Sequence, residues 1–351
     1  MNNINDIRTV DSFKNMTFSG YKLTEVKKEL IHCITNNKIE NLCYWTCELI
    51  CSAHFLFIWD IIILYMSKYI HSGNINLSLY LELRYSKFKD IINKGYIGNE
   101  LKMRNNELIR RIFIEVVCVL AFSNKKYEIK RIKVDKLDYK IENLKSKLKA
   151  DSLKYVNPIF KDGDPKDLFM ALNEFMYHLS ETKDIIWVCY WIEWMLQYEL
   201  RCKKNKESCD CVPRVYDVDD KYNKDIIWLI WDGFEYIMNT TQMSDKKITK
   251  KLFSALLLLF SMRYSTAVKR KRIYILYMVG SMLTEKIDYT VKIINNKNKI
   301  DTIVKNNGKL FRQIKKNEII KKGKDYLTNS GDWNEGNLEK TLKLLELMDS
   351  V

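Results

Sequence analysis

The sequence predicts an all-α fold, and three observations support this expectation. The chain has 351 residues but only 3 Pro and 11 Gly, which is too few turn-forming residues for a β-rich protein of that length. Apolar residues make up 47% of the chain, enough to build buried cores. Leu42, Trp45, Leu49 and Ala53 recur at three- and four-residue spacing, as one buried face of a helix requires.

Four short patterns occur twice in the same order. Each pattern recurs at these positions: "CYW" at 43–45 and 189–191, "IWD" at 58–60 and 230–232, "RYS" at 84–86 and 263–265, and a basic pair opening an apolar stretch at 110–111 and 269–272. A single shared tripeptide would carry little weight, whereas four in register predict a tandem duplication. The spacers between the patterns differ in length, which is typical of surface loops between matched core segments.

The duplication divides the chain into four parts. We expect a first helical repeat at 1–123, a charged connector at 124–165, a second repeat at 166–285 and a basic C-terminal helical extension at 286–351. The predicted helices lie near 22–36, 38–52, 54–71, 77–94 and 106–123, then 136–149, then 166–181, 184–203, 222–239, 245–262 and 269–284, and last 300–321 and 337–348. Two bundles about a pseudo-twofold axis, or a short solenoid, fit this pattern.

The best candidate for a membrane span is the apolar stretch 49–66. It contains His54 and Asp60, and a charge near the middle of a span costs about 2.5–3.5 kcal/mol. A buried core helix is therefore the favoured interpretation, with no membrane partner. The N-terminus lacks the basic-then-apolar pattern of a signal peptide, and several of the nine cysteines lie in apolar runs. We expect an intracellular, reduced protein that is not secreted.

The basic charge suggests a polyanionic partner. The net charge is +15, and Lys and Arg concentrate in 124–150 and 292–324 and at the two repeated basic pairs. The residues expected to contact phosphates are Arg110, Arg111, Lys269, Arg270, Lys271, Arg272, Arg312, Lys315, Lys316, Lys321 and Lys322. No base-reading motif is present, so binding should be salt-sensitive and indifferent to sequence. The alternative is a solvated, lysine-rich exterior.

The histidine and cysteine patterns suggest metal or thiolate chemistry less strongly than the basic residues suggest a polyanionic partner. His32 with Cys43, and His178 with Cys189, fall on different predicted helices, so core or helix-end histidines are favoured. Three thiols also lie in one loop, at Cys202, Cys209 and Cys211. Their spacing is not that of a structural zinc site and a fourth ligand is missing, so loop cysteines are favoured and no metal or cofactor is predicted.

The repeated Asp and Arg residues have two interpretations. Arg84 and Arg263 could contact phosphate, but an internal ion pair with Asp60 and Asp232, respectively, is favoured. Asp164 is expected to cap the helix that begins near 166. Motifs of nucleotide-binding loops, zinc peptidases and serine hydrolases are absent, so we expect no enzymatic activity.

Two resemblances concern the setting of the protein. The Asn-, Ile- and Lys-rich composition and the CYW–IWD–RYS pattern resemble uncharacterised helical proteins of giant nucleocytoplasmic large DNA viruses. The segment "VCYWIEWMLQYE" (188–199) is similar to a helix in the collar of clamp-loader-related ATPases, matching at Tyr190, Trp191, Met195 and Leu196 but not at Cys189. This second resemblance implies a helical oligomerisation unit tied to DNA transactions.

Together these observations predict a non-enzymatic helical protein that binds nucleic acid through its phosphates, in viral DNA replication, expression or packaging. The alternative is a structural or adaptor protein, such as a virion component, that binds another protein and no nucleic acid. Formation of a homo-oligomer stays open in both cases.

Overall fold

The fold is all-α, as predicted. A computed structural model describes residues 3–241 and 245–320, and 66% of it is helical, with no β-strand in those two ranges. Buried Leu, Ile, Trp and Phe side chains from both repeats and from the connector form one continuous hydrophobic cluster.

The first half of the molecule consists of helices α1 to α6. Their bounds are α1 Leu23–Thr35, α2 Ile39–Cys51, α3 Phe55–Tyr65, α4 Leu77–Asn93, α5 Glu100–Met103 and α6 Glu107–Phe122. The connector contains α7, Ile141–Lys147, after a 3-10 turn at Lys136–Tyr139. One helix was expected over 54–71, but α3 ends at Tyr65 and a π-helical turn, Met66–Ile70, follows it.

The second half consists of α8 to α13, and two further helices follow it. Their bounds are α8 Phe169–Tyr177, α9 Ile185–Asn205, α10 Ile226–Thr240, α11 Lys246–Ser261, α12 Thr266–Lys271, α13 Ile273–Thr284, α14 Lys297–Asn306 and α15 Gly308–Lys315. The sequence predicts one helix where α12 and α13 lie, and one where α14 and α15 lie. The predicted helix at 337–348 lies outside the described residues.

The helices within each half pack in the same pattern. In the first half α2 packs against α1, α3 and α6, and in the second half α9 packs against α8, α10 and α13. Likewise α6 packs against α4, and α13 packs against α11. Between the halves, α4 packs against α11, the two helices that carry or precede the RYS segments. These contacts fit a pseudo-twofold arrangement, and the duplication itself stays a prediction.

The tryptophans of the two CYW segments differ in burial. Trp191 is fully buried, whereas Trp45 is half-buried and contacts the ring of Tyr21 edge-on at 5.0 Å. Tyr190, next to Trp191, donates a hydrogen bond to Asp138 of the connector at 2.9 Å. The second segment therefore also holds the connector in place.

Helix α3 lies inside the protein. One stretch of the described residues, Phe55–Gly73, has the length and mean hydropathy of a membrane span, and 61% of it is buried. Ile58, Trp59 and Ile62 on α3 are almost fully buried, and the helix packs against α2 and α6. This burial agrees with the core helix predicted from His54 and Asp60.

The C-terminal extension folds back onto the first half. Helix α14 packs against α6 and α15 packs against α2, with Ile300, Phe311 and Ile314 buried. The backbone N–H of Ile7 donates to the carbonyl of Ile319 at 2.9 Å, so the N-terminal segment joins the same assembly. The described part of the extension is thus integrated into the fold by its apolar residues.

The predicted Asp–Arg pairs are wrong. Asp60 pairs with Lys271 and Arg272 of the other half, at 3.2 and 3.4 Å, whereas Arg84 pairs with Glu115. Asp232 pairs with Arg214, not with Arg263. The reason is geometric, because insertion loops and the second half supply closer partners than the repeated arginines do.

Asp164 is also not a helix cap. Its carboxylate accepts two hydrogen bonds from the guanidinium of Arg214, at 2.6 and 2.7 Å, and the Arg214 side chain is 2% exposed. The Arg214 guanidinium helps to hold the pKa of Asp164 below its usual range, against the effect of burial. The buried ion pair therefore ties the long loop after α9 to the segment before α8.

Candidate nucleic-acid interface

A cavity of about 370 Å3 lies between the two halves and is rich in cationic side chains. We call it the basic groove. Its cations are Lys27, Lys68, Arg131, Arg270 and Lys271, which come from α1, the π-helical turn, the connector and α12. The connector and the KRKR segment (269–272), two of the basic regions noted in the sequence, therefore meet at one place. Phosphate groups are the ligands that such a set of cations attracts.

The groove also contains carboxylates and aromatic rings. Lys68 pairs with Glu128 at 2.7 Å, and its ammonium lies 5.3 Å from the ring centre of Tyr274. Arg131 makes a two-point ion pair with Glu193, and Lys271 pairs with Asp60. Five cations therefore stand against three carboxylates, which leaves a positive excess at the groove.

Two of the cations keep their charge available. Within residues 3–241 and 245–320, neither Lys27 nor Arg270 has a carboxylate within ion-pair distance. Arg270 is exposed and Lys27 is half-buried. An exposed guanidinium without an internal acid pays little desolvation when it meets a phosphate, which favours Arg270 as a contact.

The KRKR segment divides into two inward and two outward residues. Lys269 is 2% exposed and pairs with Glu199 and Asp225, each at 2.6 Å. Arg272 is 4% exposed and donates hydrogen bonds to the carbonyls of Phe260 and Met262. The prediction of phosphate contact is therefore wrong for these two residues. Their three-residue spacing puts both on the inner side, while Arg270 and Lys271 face outward.

Arg110 and Arg111 line a second cavity of about 510 Å3, together with Lys305 of α14. Arg111 is exposed, but Arg110 is 7% exposed, donates to the carbonyl of Arg104 and lies 4.0 Å from the ring centre of Phe311. Arg110 therefore holds α15 against α6, and the expectation that it contacts phosphate is corrected. Arg111 remains a candidate.

The basic residues of the C-terminal extension have different environments. Arg312 on α15 and Lys316 directly after it are exposed, while Lys315 donates to the backbone carbonyl of Asn3 at 2.6 Å. Lys321 and Lys322 lie outside the described residues. Arg312, Lys315 and Lys316 do not line the basic groove.

Lys27 and Lys68 were missed in the sequence. Lys27 belongs to "LTEVKKEL", where an outward lysine looks like any solvated residue of an amphipathic helix. Lys68 does carry a signal in the sequence, because Phe57, the adjacent pair Asp60 and Ile61, Leu64 and Lys68 recur every three or four residues and all line the groove.

The histidines and cysteines make structural contacts. His178 is buried, stacks on Trp187 and shares a hydrogen bond with the hydroxyl of Thr182 at 2.8 Å, while His32 contacts Asn36 and Lys38. Cys202 and Cys211 are buried and Cys209 is half-buried, and burial raises the pKa of the Cys209 and Cys211 thiols. No cluster of three metal-binding side chains occurs in the described ranges.

No match is found when the chain is compared with protein-family models, curated proteins and solved structures. The geometry of this chain is therefore the whole basis for a functional proposal.

Buried carboxylates accept hydrogen bonds from internal donors. Glu48 accepts from Ser19, Glu174 accepts from the backbone N–H groups of Lys149 and Ala150, and Glu193 accepts from Arg131 and Tyr277. Each of these acids connects two segments of the chain. These contacts fix loops and the connector against the helices.

Proposed function

We propose that this protein is a non-enzymatic nucleic-acid-binding protein that contacts phosphates through the basic groove and the exposed cations beside it. The observation that carries the proposal is the convergence of Lys27, Lys68, Arg131, Arg270 and Lys271 from four separate segments. Such a surface recognises charge and not base identity, so affinity should be similar for different sequences. The role in viral DNA replication, expression or packaging rests on the resemblance alone.

A binding assay with labelled DNA tests the proposal. We expect the protein to shift duplex or single-stranded DNA of any sequence at micromolar protein and about 50 mM salt, and to release it as salt rises. No shift of either form under these conditions would reject nucleic-acid binding and favour the structural or adaptor role.

Charge reversal locates the site. The double variant Arg270→Glu and Lys271→Glu should weaken binding, because both side chains are exposed in the groove. Arg312→Glu and Lys316→Glu provide a matched control, since these cations are exposed in and directly after α15 and do not line the basic groove. Equal loss in both double variants would show that net charge matters and the groove does not.

A further inference from the structure

The basic groove continues into a longer groove between the halves. Its neighbour is a cavity of about 490 Å3 that shares Phe57, Asp60 and Lys271 with it. That cavity adjoins another of about 840 Å3, with Leu56, Phe88 and Arg263 among the shared walls. We call these two adjoining cavities the seam groove. It runs between α3 and α4 of the first half and α11 and α12 of the second.

The smaller cavity of the seam groove has mainly apolar and aromatic walls, and the larger one combines aromatic with polar side chains. Leu56 is 40% exposed there. Phe57, Tyr85 and Tyr222 are half-buried in its lining, so part of each ring is accessible. Accessible rings beside cations are the combination on which unpaired bases stack while their phosphates are neutralised.

Arg263 stands at the centre of this groove and lines both of its cavities. It is exposed, and it makes no ion pair within the described ranges. Its backbone has φ +45°, in the left-handed region that side chains with a Cβ rarely adopt. Its counterpart in the first half, Arg84, pairs with Glu115. Only the second RYS arginine is therefore held outward with its charge available.

The distribution of charge limits where a nucleic-acid strand could lie in the seam groove. Arg263, Lys271 and Arg270 form a cationic series from the centre of the seam groove to the basic groove. Two acids, Glu100 and the Lys271 partner Asp60, also line this path, which leaves the cations in excess. At the opposite end, Asp90, Asp217 and Asp219 line the wall with Lys89 and Lys221. That end has no positive excess, so a polyanion should occupy the path from Arg263 towards Arg270.

We propose that the seam groove binds single-stranded nucleic acid, with phosphates on Arg263, Lys271 and Arg270 and bases against the apolar wall at Leu56 and Phe57. This inference rests on the proposed function and names its substrate. A duplex keeps its bases stacked inside, so it can use the cations but not the apolar wall. Single strands should therefore bind more tightly than duplexes of equal length.

Fluorescence anisotropy with labelled oligo(dT) of about 12 nucleotides and a duplex of the same length tests the inference. Arg263→Ala should lower affinity for the single strand at least about tenfold, the loss expected from one charge-assisted contact. Leu56→Glu should also weaken single-strand binding. Leu83→Glu is its control, because Leu83 is 68% exposed on α4 and does not line the groove.

The outcomes separate this inference from the proposed function. Preference for the single strand, lost in Arg263→Ala and Leu56→Glu but kept in Leu83→Glu, supports the seam groove. Equal binding of both forms, unchanged by Arg263→Ala, overturns it and leaves phosphate binding elsewhere intact. Absence of binding to either form overturns both. Circular dichroism spectra and urea midpoints equal to wild type identify the variants that remain folded.

Discussion

Lys269 and Arg270 are neighbours in the chain but have opposite environments. The Lys269 ammonium lies between the carboxylates of Glu199 and Asp225, all three buried, and Tyr264 donates to the same Asp225 at 2.8 Å. Arg270 is exposed at the basic groove. A run of four basic residues indicates charge in the sequence, but only the direction of each side chain from α12 decides which charges reach a ligand.

We expect Lys269→Met to destabilise the protein by about 3–5 kcal/mol, because it leaves the buried carboxylate of Asp225 without a cation and leaves Glu199 with Lys203 alone. Urea unfolding at neutral pH measures the change. Arg270→Met is the matched control and should stay within about 0.5 kcal/mol of wild type, as exposed positions do. A Lys269→Met protein as stable as the control would show that the buried ion pairs do not stabilise the fold.

His178 should make stability depend on pH. Burial lowers the pKa of His178 from 6.5 to about 4, so the ring is neutral in the folded protein and the unfolded chain binds its proton first. The contribution of His178 to the free energy of unfolding is fully present above pH 6.5. It falls by up to about 3 kcal/mol as the pH decreases towards 4.

Urea unfolding at pH 7 and pH 5 checks this expectation. Wild type should lose more stability between these values than His178→Gln, with His32→Gln, a surface histidine, as control. The carboxylate of Glu174 lies 3.6 Å from His178 Nε2. If that carboxylate instead keeps the ring protonated in the folded state, wild type will gain stability relative to His178→Gln as pH falls.

At the scale of helices, most of the fold follows from apolar periodicity. The bounds of α1, α2, α4 and α6 agree with the sequence prediction within one residue at each end. The spacing of apolar residues could not predict the π-helical turns at Met66–Ile70 and His178–Thr182. These turns depend on the local path of the backbone at the ends of α3 and α8, which that spacing does not determine. The ion-pair partners of Asp60 and Arg84 could not be predicted either, since they come from distant segments of the sequence.

Close helix contacts at two glycines give a test of these interfaces. A Cβ at Gly233 of α10 would lie 2.7 Å from Phe175 Cε1 and 2.9 Å from Met176 Sδ, in α8. At Gly280 of α13 the nearest atom would be Cδ1 of Ile185, at 2.8 Å, the end of a flexible side chain.

Gly233→Ala should destabilise the protein by about 1–3 kcal/mol, although alanine favours a helix over glycine, because the buried Phe175 ring cannot move away easily. Gly280→Ala should cost less, since the Ile185 side chain can rotate. Thermal or urea unfolding compares the two variants. The opposite order would mean that α8 and α10 are less tightly packed than the structure shows.

At the scale of the whole molecule, the contacts between helices matter more than any single motif. Matching contacts in the two halves, and the contact of α4 with α11, agree with the duplication predicted from CYW, IWD and RYS. The groove between the halves could not be predicted, because the sequence does not show which surfaces of two bundles meet. The same holds for the convergence of Lys27 and Lys68 with Arg270.

The salt dependence of nucleic-acid affinity tests the central claim most directly. Phosphate contacts release counterions, so log K should fall linearly with log salt, with a slope of about −0.7 per contact for a single strand. We expect wild type to give a steep line, and the double variant Arg270→Glu and Lys271→Glu to give a slope shallower by about 1.4 or more. An affinity that does not change with salt, or equal slopes in both proteins, would contradict phosphate binding at the basic groove.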